Sequence, residues 1–397
     1  MYPQLPTIKT CTGCGLCADS CPHHAINISY NKNGFLQPIV NQSLCIGCKI
    51  CEKRCPVLQI PQRHSTFAPI YYKAHTINEN WEAESSSGGI FPAIANSILQ
   101  SGKGVVFGAE LTNQDTVTHS YITDIKDIKR LQGSKYIQSN TSGIYKKVVN
   151  FLQEGHTVLF SGTPCQIAAV KKATQYRKFK GKLITIDLVC HGIPTIDILH
   201  IAKKYYKAKK IQSFRNKKNG WGKHNFHITY ITPNSQPFTP INDVFYQLYF
   251  QDLCLRKSCY NCLFTNLPRI SDITIADYWK INQNDTGISL AIANTPEGQS
   301  VLQHCNNISI ESVGLSECLP YNPNICFSKY ELEKVSLSNY IFLLKKLPLK
   351  VFIAILSCQS SNFVLKIFIK PFALLVKHLH NKANNRIKRS SNALLKY

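Results

Sequence analysis

Acidic residues are scarce in this chain of 397 residues: 22 Asp and Glu stand against 46 Lys and Arg, a formal net charge of +24. None follows Glu333, whereas twelve Lys and Arg do, so half of the excess lies in the last segment. Long apolar runs are also missing. The densest stretch, VFIAIL, is followed by SCQSSN and then by lysines every few residues, short of the roughly eighteen apolar residues of a spanning helix. The start, MYPQLPTIKT, has neither the basic nor the apolar region of an export signal, so a cytoplasmic, reducing setting is expected. No GxGxxG run follows a strand-like segment, which argues against a Rossmann nicotinamide site and direct use of NAD(P)H. No CxxxCxxC run, which radical S-adenosylmethionine chemistry requires, is present. The basic charge would suit a nucleic-acid partner, but no recognised fold or aromatic RNA-binding motif accompanies it, and none is expected.

What the chain has is cysteine. Its 17 cysteines read, in a reducing compartment, as metal ligands or redox groups before disulfides. Two runs, CTGCGLCADSCP and CIGCKICEKRCP, share the spacing C-x2-C-x2-C-x3-C-P. Between them AINISYNKNGFLQPIV alternates about an Asn33-Gly34 turn signal, as a hairpin does. Three cysteines at two-residue gaps let one tight loop wrap a four-iron cluster, with Gly13, Gly15 and Gly47 easing the backbone, and the fourth cysteine of each run ligates the other cluster. One [4Fe–4S] cluster is therefore assigned to Cys11, Cys14, Cys17 and Cys55, and a second to Cys45, Cys48, Cys51 and Cys21. Zinc sites use paired rather than tripled cysteines. The segment resembles bacterial two-cluster ferredoxins.

The composition, 44% apolar and 17% charged, suits globular domains with real cores. The expected organisation is a two-cluster ferredoxin domain over 1–60, a linker over 61–69, a larger mixed α/β domain over 70–330 and a basic tail over 331–397. GKGVVFGAEL, HTVLFSG and GKLITIDLVC read as strands alternating with helical IYKKVVNFLQEG and PCQIAAVKKATQ. HNFHITYITP reads as a further strand. Cys165 and Cys190 follow two of these strands, where ligands gather in an open α/β sheet, and the Cys259-Tyr-Asn-Cys262 run could complete a set of four thiolates. Buried, inert cysteines are the alternative, and Cys254 could replace any member. Cys305, Cys318, Cys326 and Cys358 read as small core residues.

The phrases SSSGGIF, LQGSKYIQS, GTPCQI, DLVCHGIP, FRNKKNGWG, LRKSCYNC and SDITIADYW occur in this order between residues 85 and 279. Together they resemble the coenzyme F420 hydrogenase/dehydrogenase beta-subunit family over roughly residues 70–320. The resemblance implies a flavoprotein that passes electrons between iron–sulfur clusters and FAD. It also implies a third [4Fe–4S] cluster on Cys165, Cys190, Cys259 and Cys262. Related ferredoxin fusions occur in bacterial surface-polysaccharide settings, so a reductase of a polysaccharide or cofactor intermediate is one setting, and coenzyme F420 itself is not required. Ala276 and Lys280, on either side of Asp277, stand where the family's pattern has glycines, a departure from the resemblance at this point.

For FAD, Ser87, Gly88 and Gly89 precede the helical run IFPAIANSIL, Gln132, Gly133, Ser134, Lys135 and Tyr136 match the family's flavin-binding stretch, and Gly162 and Thr163 precede a helix opened by Pro164. Ordinary turns are the competing account of SSSGG. The expected activity is that of an FAD-dependent iron–sulfur oxidoreductase acting on a small hydride acceptor or donor, with a ferredoxin-like protein as electron partner; the alternative is a relay subunit without a substrate. His191, beside Cys190, is the candidate proton donor, against a packed histidine. In the tail, Phe363, Ile367, Phe368, Phe372, Leu375 and Leu379 permit a basic amphipathic helix. That helix would either lie on the anionic inner face of the membrane or pack on the protein.

Overall fold

The computed structural model describes residues 2–327 except 64–65, 176, 218–219, 223–224, 251, 253, 282 and 285. The expected amphipathic tail and Cys358 lie outside the described residues. Among those residues no helix is long and apolar enough to cross a membrane.

At the amino end, β1 (Ile26–Tyr30) and β2 (Leu36–Val40) form the expected antiparallel hairpin. The Asn31 side chain accepts from Asn33 N and Phe35 N, and Gly34 takes φ +73°. The two cysteine runs place α1 (Leu16–Asp19) and α2 (Ile50–Lys53) side by side. Each helix starts after a left-handed residue, Gly15 in the first run and Lys49 at the matching place in the second. A lysine tolerates that conformation at a cost glycine avoids.

The main body is a nine-stranded mixed sheet. Its strands are β3 (Ile70–Thr76), β4 (Gly104–Leu111), β5 (Val117–Ile122), β6 (Ser139–Asn140), β7 (Thr157–Gly162), β8 (Lys182–Leu188), β13 (Ile273–Asp277), β15 (Ser289–Ala293) and β16 (Ile308–Val313), in the order β16-β3-β15-β13-β8-β7-β4-β5-β6. The central run β4, β7, β8 and β13 is parallel. These strands are nearly all apolar because both faces are covered. Val106, Leu159, Ile184 and Ile186 meet a helix at Ile90–Leu99 on one face. Val105, Phe107, Val158 and Phe160 meet helices at Ile144–Gln153 and Pro164–Thr174 on the other.

A second core gathers helices Asp197–Tyr205 and Val244–Tyr249 against a small sheet of β9 (Lys210–Ser213), β11 (Thr229–Ile231) and β12 (Pro237–Phe238). The strand expected in HNFHITYITP is thus confined to its centre, paired on both sides. Two short strands, β10 (Trp221–Gly222) and β14 (Gln283–Asn284), pair beyond the carboxyl edge of the parallel strands. Cys305, Cys318 and Cys326 are buried in apolar cores, as a small-residue role requires.

The cysteine-rich unit is docked on this body. Leu16 is 1% exposed and packs with Ile144, Tyr145 and Val148. Asp19 accepts from Gly143 N and Tyr145 N, while Thr141 Oγ1 and the Tyr145 hydroxyl donate to Cys14 O. Thr195 Oγ1 donates to Asn33 O at the far side of the hairpin.

Candidate functional site

The crossed arrangement of the two cysteine runs brings Cys55 to the first loop and Cys21 to the second. Burial raises the pKa of Cys14, Cys17 and Cys55, and each of these thiols also feels Cys11. Cys21, Cys45, Cys48 and Cys51 border one recess together with Pro3, Ile46 and Lys49, about 320 Å³ of atom-free space partly open to solvent. Burial lifts Cys51 to about 11, with Cys21 and Cys48 adding to the shift. Backbone N–H groups point at sulfur in both loops: Gly13 N lies 3.4 Å from Cys11 Sγ and Ala25 N 3.3 Å from Cys21 Sγ. Cys21 and Cys51 are buried and Cys48 is exposed, so the second set lies at the surface.

The four later cysteines come from three segments. Thr163 and Gln166 close a capping box at the start of the helix Pro164–Thr174, with Pro164 in its first turn, which sets Cys165 in the first turn, its Sγ 3.2 Å from Thr163 Oγ1. Cys190 follows β8. Cys259 lies in the short helix Lys257–Tyr260, and Cys262 two residues past it. The 190 and 259 segments are clamped together by Arg256 N donating to Ile193 O and Thr195 N to Cys254 O, both 2.8 Å. Gly192 makes this approach possible: its φ is +132° and an added Cβ would stand 2.8 Å from Leu255 Cδ1. All four cysteines line one recess of about 490 Å³ of atom-free space, partly open, with Thr12, His191, Arg256 and Ser258 on its walls. Burial pushes Cys165 to about 11 and Cys259 to about 12, and raises Cys190 and Cys262. Cys254 is not on these walls; it is buried in the second core.

Among the described residues no group of three or more His, Cys, Asp or Glu is placed to hold a metal ion; the donor sets consist of thiols, the ligands that iron–sulfur clusters take. Arg256 adds to the fit. Its residue is 2% exposed, its guanidinium donates to the neutral acceptors Cys11 O, Leu36 O and Gln138 Oε1, and no carboxylate pairs with it among the described residues.

His191 stands on the wall of the recess and is also packed: Nε2 is 2.6 Å from Asp252 Oδ1 and the ring lies 4.8 Å from that of Tyr249.

The flavin candidates gather at the carboxyl edge of the parallel strands. Ser85–Gly89 meets the 132–136 loop, where Ser134 N donates to Ser86 Oγ and Gln132 Nε2 to Ser85 Oγ and Trp81 O. Gly88 N donates to Ser289 Oγ, and Ser87 Oγ to Ile288 O. Lys135 Nζ donates to the carbonyls of Arg130, Leu131 and Gln132, capping a helix end, and burial brings its pKa down to about 7. Gly162 and Thr163 lie at the end of β7 beside Cys165 rather than in these two loops. Tyr136 packs edge-on to Tyr246 and Tyr249.

Several residues that the motifs contained without a stated role meet on the same edge. Arg215 Nη1 and Trp221 Nε1 both donate to the Asp277 carboxylate at 2.9 Å. The Trp221 and Trp279 rings stack at 5.1 Å. Lys217 Nζ donates to Ser87 O and Thr286 O. Arg215 Nη2 is buried without a hydrogen-bond partner among the described residues. Arg215, Lys217 and Trp221 fall in FRNKKNGWG, and Arg256 in LRKSCYNC; standing inside those phrases is the signal that could have singled them out. The Ala276 and Lys280 departures leave Asp277 in this network, and Lys280 pairs instead with Glu317.

Two family models match separate segments of the chain. Residues 155–314 match the family described as the C terminus of the coenzyme F420 hydrogenase/dehydrogenase beta subunit, a span that contains all four later cysteines. Residues 10–58 match the 4Fe–4S dicluster domain. No curated protein sequence matches the chain. Among solved structures, a chain of the F420-reducing [NiFe] hydrogenase complex from Methanosarcina barkeri, studied by xenon derivatization, aligns at 16% identity and a TM-score of 0.47, over 67% of this chain and 92% of that one. The chain is thus an iron–sulfur oxidoreductase-like electron-transfer protein with a 4Fe–4S dicluster domain over residues 10–58 and, over residues 155–314, a segment related to the C terminus of the coenzyme F420 hydrogenase/dehydrogenase beta subunit.

Proposed function

We propose that the protein is an iron–sulfur flavoprotein oxidoreductase that links three [4Fe–4S] clusters to FAD and to a small hydride acceptor or donor. The observation that carries this reading is the recess walled by Cys165, Cys190, Cys259 and Cys262, which also receives a buried guanidinium without a carboxylate partner among the described residues. A buried cation needs a counter-charge, and four thiolates around an iron–sulfur cube supply one. The ligand sets are Cys11, Cys14, Cys17 and Cys55 for the first cluster, Cys45, Cys48, Cys51 and Cys21 for the second, and the four recess cysteines for the third. When bound, the clusters carry single electrons and the flavin converts them to pairs.

The protein's own residues hold these sets in line. Cys14 feels both Cys11 and Cys165, so the first set abuts the third, while the second, with Cys48 exposed, faces solvent. The second set is therefore the point of exchange with an electron partner such as a ferredoxin. Around it Ile46 is 67%, Ile39 59% and Leu44 50% exposed, an apolar rim on a strongly basic chain. Ile46→Glu is expected to slow reduction by an acidic ferredoxin about tenfold, the equivalent of about 1.4 kcal/mol. Reduction by dithionite should be unchanged. Stopped-flow rates at two ionic strengths measure this, and equal ferredoxin rates in both proteins would move the docking point elsewhere.

For FAD, the 85–89 and 132–136 loops, Gly162 and Thr163 share one sheet edge with the orphaned Nη2 of Arg215, a donor suited to an anionic or carbonyl group. His191, its Nε2 held by Asp252, is the proposed proton donor; unchanged turnover in His191→Ala would end that role.

The relay reading, an electron-transfer subunit without a substrate, draws on a specific observation: Gly88 N, Ser134 N and Lys135 Nζ are committed to partners within the protein. Acid denaturation of anaerobically purified protein separates the two. About one flavin released per chain, the stoichiometry of a single cofactor, supports the oxidoreductase. No flavin after reconstitution with FAD leaves the relay.

A further inference from the structure

We propose that Arg256 sets the reduction potential at the junction of the two domains, as a fixed positive charge between Cys11 of the first ligand set and Cys165 and Cys259 of the third. The proposal rests on the three-cluster reading above.

Arg256 reaches across the interface from the residue before the helix Lys257–Tyr260. Nη1 donates to Cys11 O at 3.1 Å, and Nη2 donates to Leu36 O and to Gln138 Oε1, each at 2.6 Å. Its guanidinium carbon lies 5.1 Å from the centre of the Phe35 ring. Ser258 Oγ, two residues on, donates to the same Cys11 carbonyl at 3.1 Å. Gly13 admits the guanidinium: a Cβ there would stand 2.7 Å from Arg256 Nη2 and 2.4 Å from Leu36 O.

All three acceptors are neutral, so they orient the charge without cancelling it. Cys11, Cys14, Cys165 and Cys259 lie within its electrostatic reach. An arginine cannot be deprotonated in a protein, and in a buried setting its field is screened less than it would be at the surface. Adding an electron makes a cluster one charge more negative, so a neighbouring cation favours the reduced state and raises the potential. A structural clamp would need only the hydrogen bonds; a potential-setting residue needs the charge.

The test compares Arg256→Gln and Arg256→Lys in the anaerobically purified full chain, by redox titration followed by electron paramagnetic resonance, with iron content as the loading control. Arg256→Gln is expected to lower the potential of at least one cluster by a tenfold or larger change in its one-electron equilibrium, about 59 mV. Arg256→Lys should stay within about threefold of the parent, since it keeps the charge and loses only the planar fork. A fully loaded Arg256→Gln that titrates like the parent overturns the proposal, as do equal falls in both variants. Where Arg256→Gln does not take up iron, Arg256→Lys decides: a tenfold fall there overturns the proposal, and retained potentials uphold it. A parent protein holding about eight iron atoms rather than about twelve sinks the three-cluster reading instead, which keeps the two failures apart.

Discussion

Cys259→Ala is expected to hold about eight iron atoms per chain where the parent holds about twelve. Cys259 Sγ faces the recess shared with Cys165, Cys190 and Cys262, and accepts the Ile193 N–H at 3.4 Å. With that thiolate gone, three ligands would remain for the proposed third cluster, short of the four that close its coordination. The two amino-terminal sets share no ligand with the recess, so their iron should stay. Cys254→Ala is the control. That thiol is more deeply buried and only five residues away, but it packs in the second core and does not border the recess; its loss should cost packing energy and no iron. Iron and acid-labile sulfide, measured anaerobically on both variants alongside circular dichroism, settle the matter. Full iron in Cys259→Ala would remove the third cluster, and equal loss in both variants would mean that iron reports folding rather than ligation.

Arg269→Met is expected to destabilise the protein by about 3–5 kcal/mol, the usual cost of stripping one partner from a buried ion pair. Arg269 and Asp187 side chains are 0% and 2% exposed, and Nε and Nη2 both donate to Asp187 Oδ2, at 3.1 and 2.8 Å. Asp187 Oδ1 has no hydrogen-bond partner among the described residues, so the carboxylate depends on this arginine. Arg269 also donates to Leu188 O and Ile325 O, tying the end of β8, just before Cys190, to the segment that follows Cys262 and to a turn far along the chain. Replacing both partners by apolar residues should recover much of the loss. Urea unfolding of the two single variants and of Asp187→Leu/Arg269→Met gives the coupling directly; losses that merely add would show that the pair is not a unit.

Much of the fold was legible along the chain because its signals are local. The strands at 104–111, 157–162 and 182–188 carry short apolar stretches, as strands covered on both faces do, and the helix at 164–174 opens on Thr163 and Pro164 with Gln166 completing its cap. The hairpin about Asn33 and Gly34 follows from alternation and a single glycine-dependent turn. The strand at 229–231 is shorter than its alternation suggests, since pairing with β9 and β12 sets its length. The antiparallel edge formed by β3, β15 and β16 was not legible, because its partners lie more than 200 residues apart.

The candidate site divides in the same way. Cysteine spacing is a property of the chain: gaps of two residues let one loop present three thiols, so the two ferredoxin runs, and their exchange of a fourth cysteine, follow from the chain alone. The sequence by itself also singles out Cys165, Cys190, Cys259 and Cys262, though only as members of matching phrases. Which of them face one space, why Cys254 does not, and how Arg256 comes to stand 245 residues along the chain from the Cys11 carbonyl it binds were decided by tertiary structure. A side chain's charge and reach are encoded locally. Whether that charge is buried, left without a carboxylate among the described residues and set on the wall of a recess lined by cysteines from other segments depends on how sheet and loops pack, and packing is a property of the whole chain.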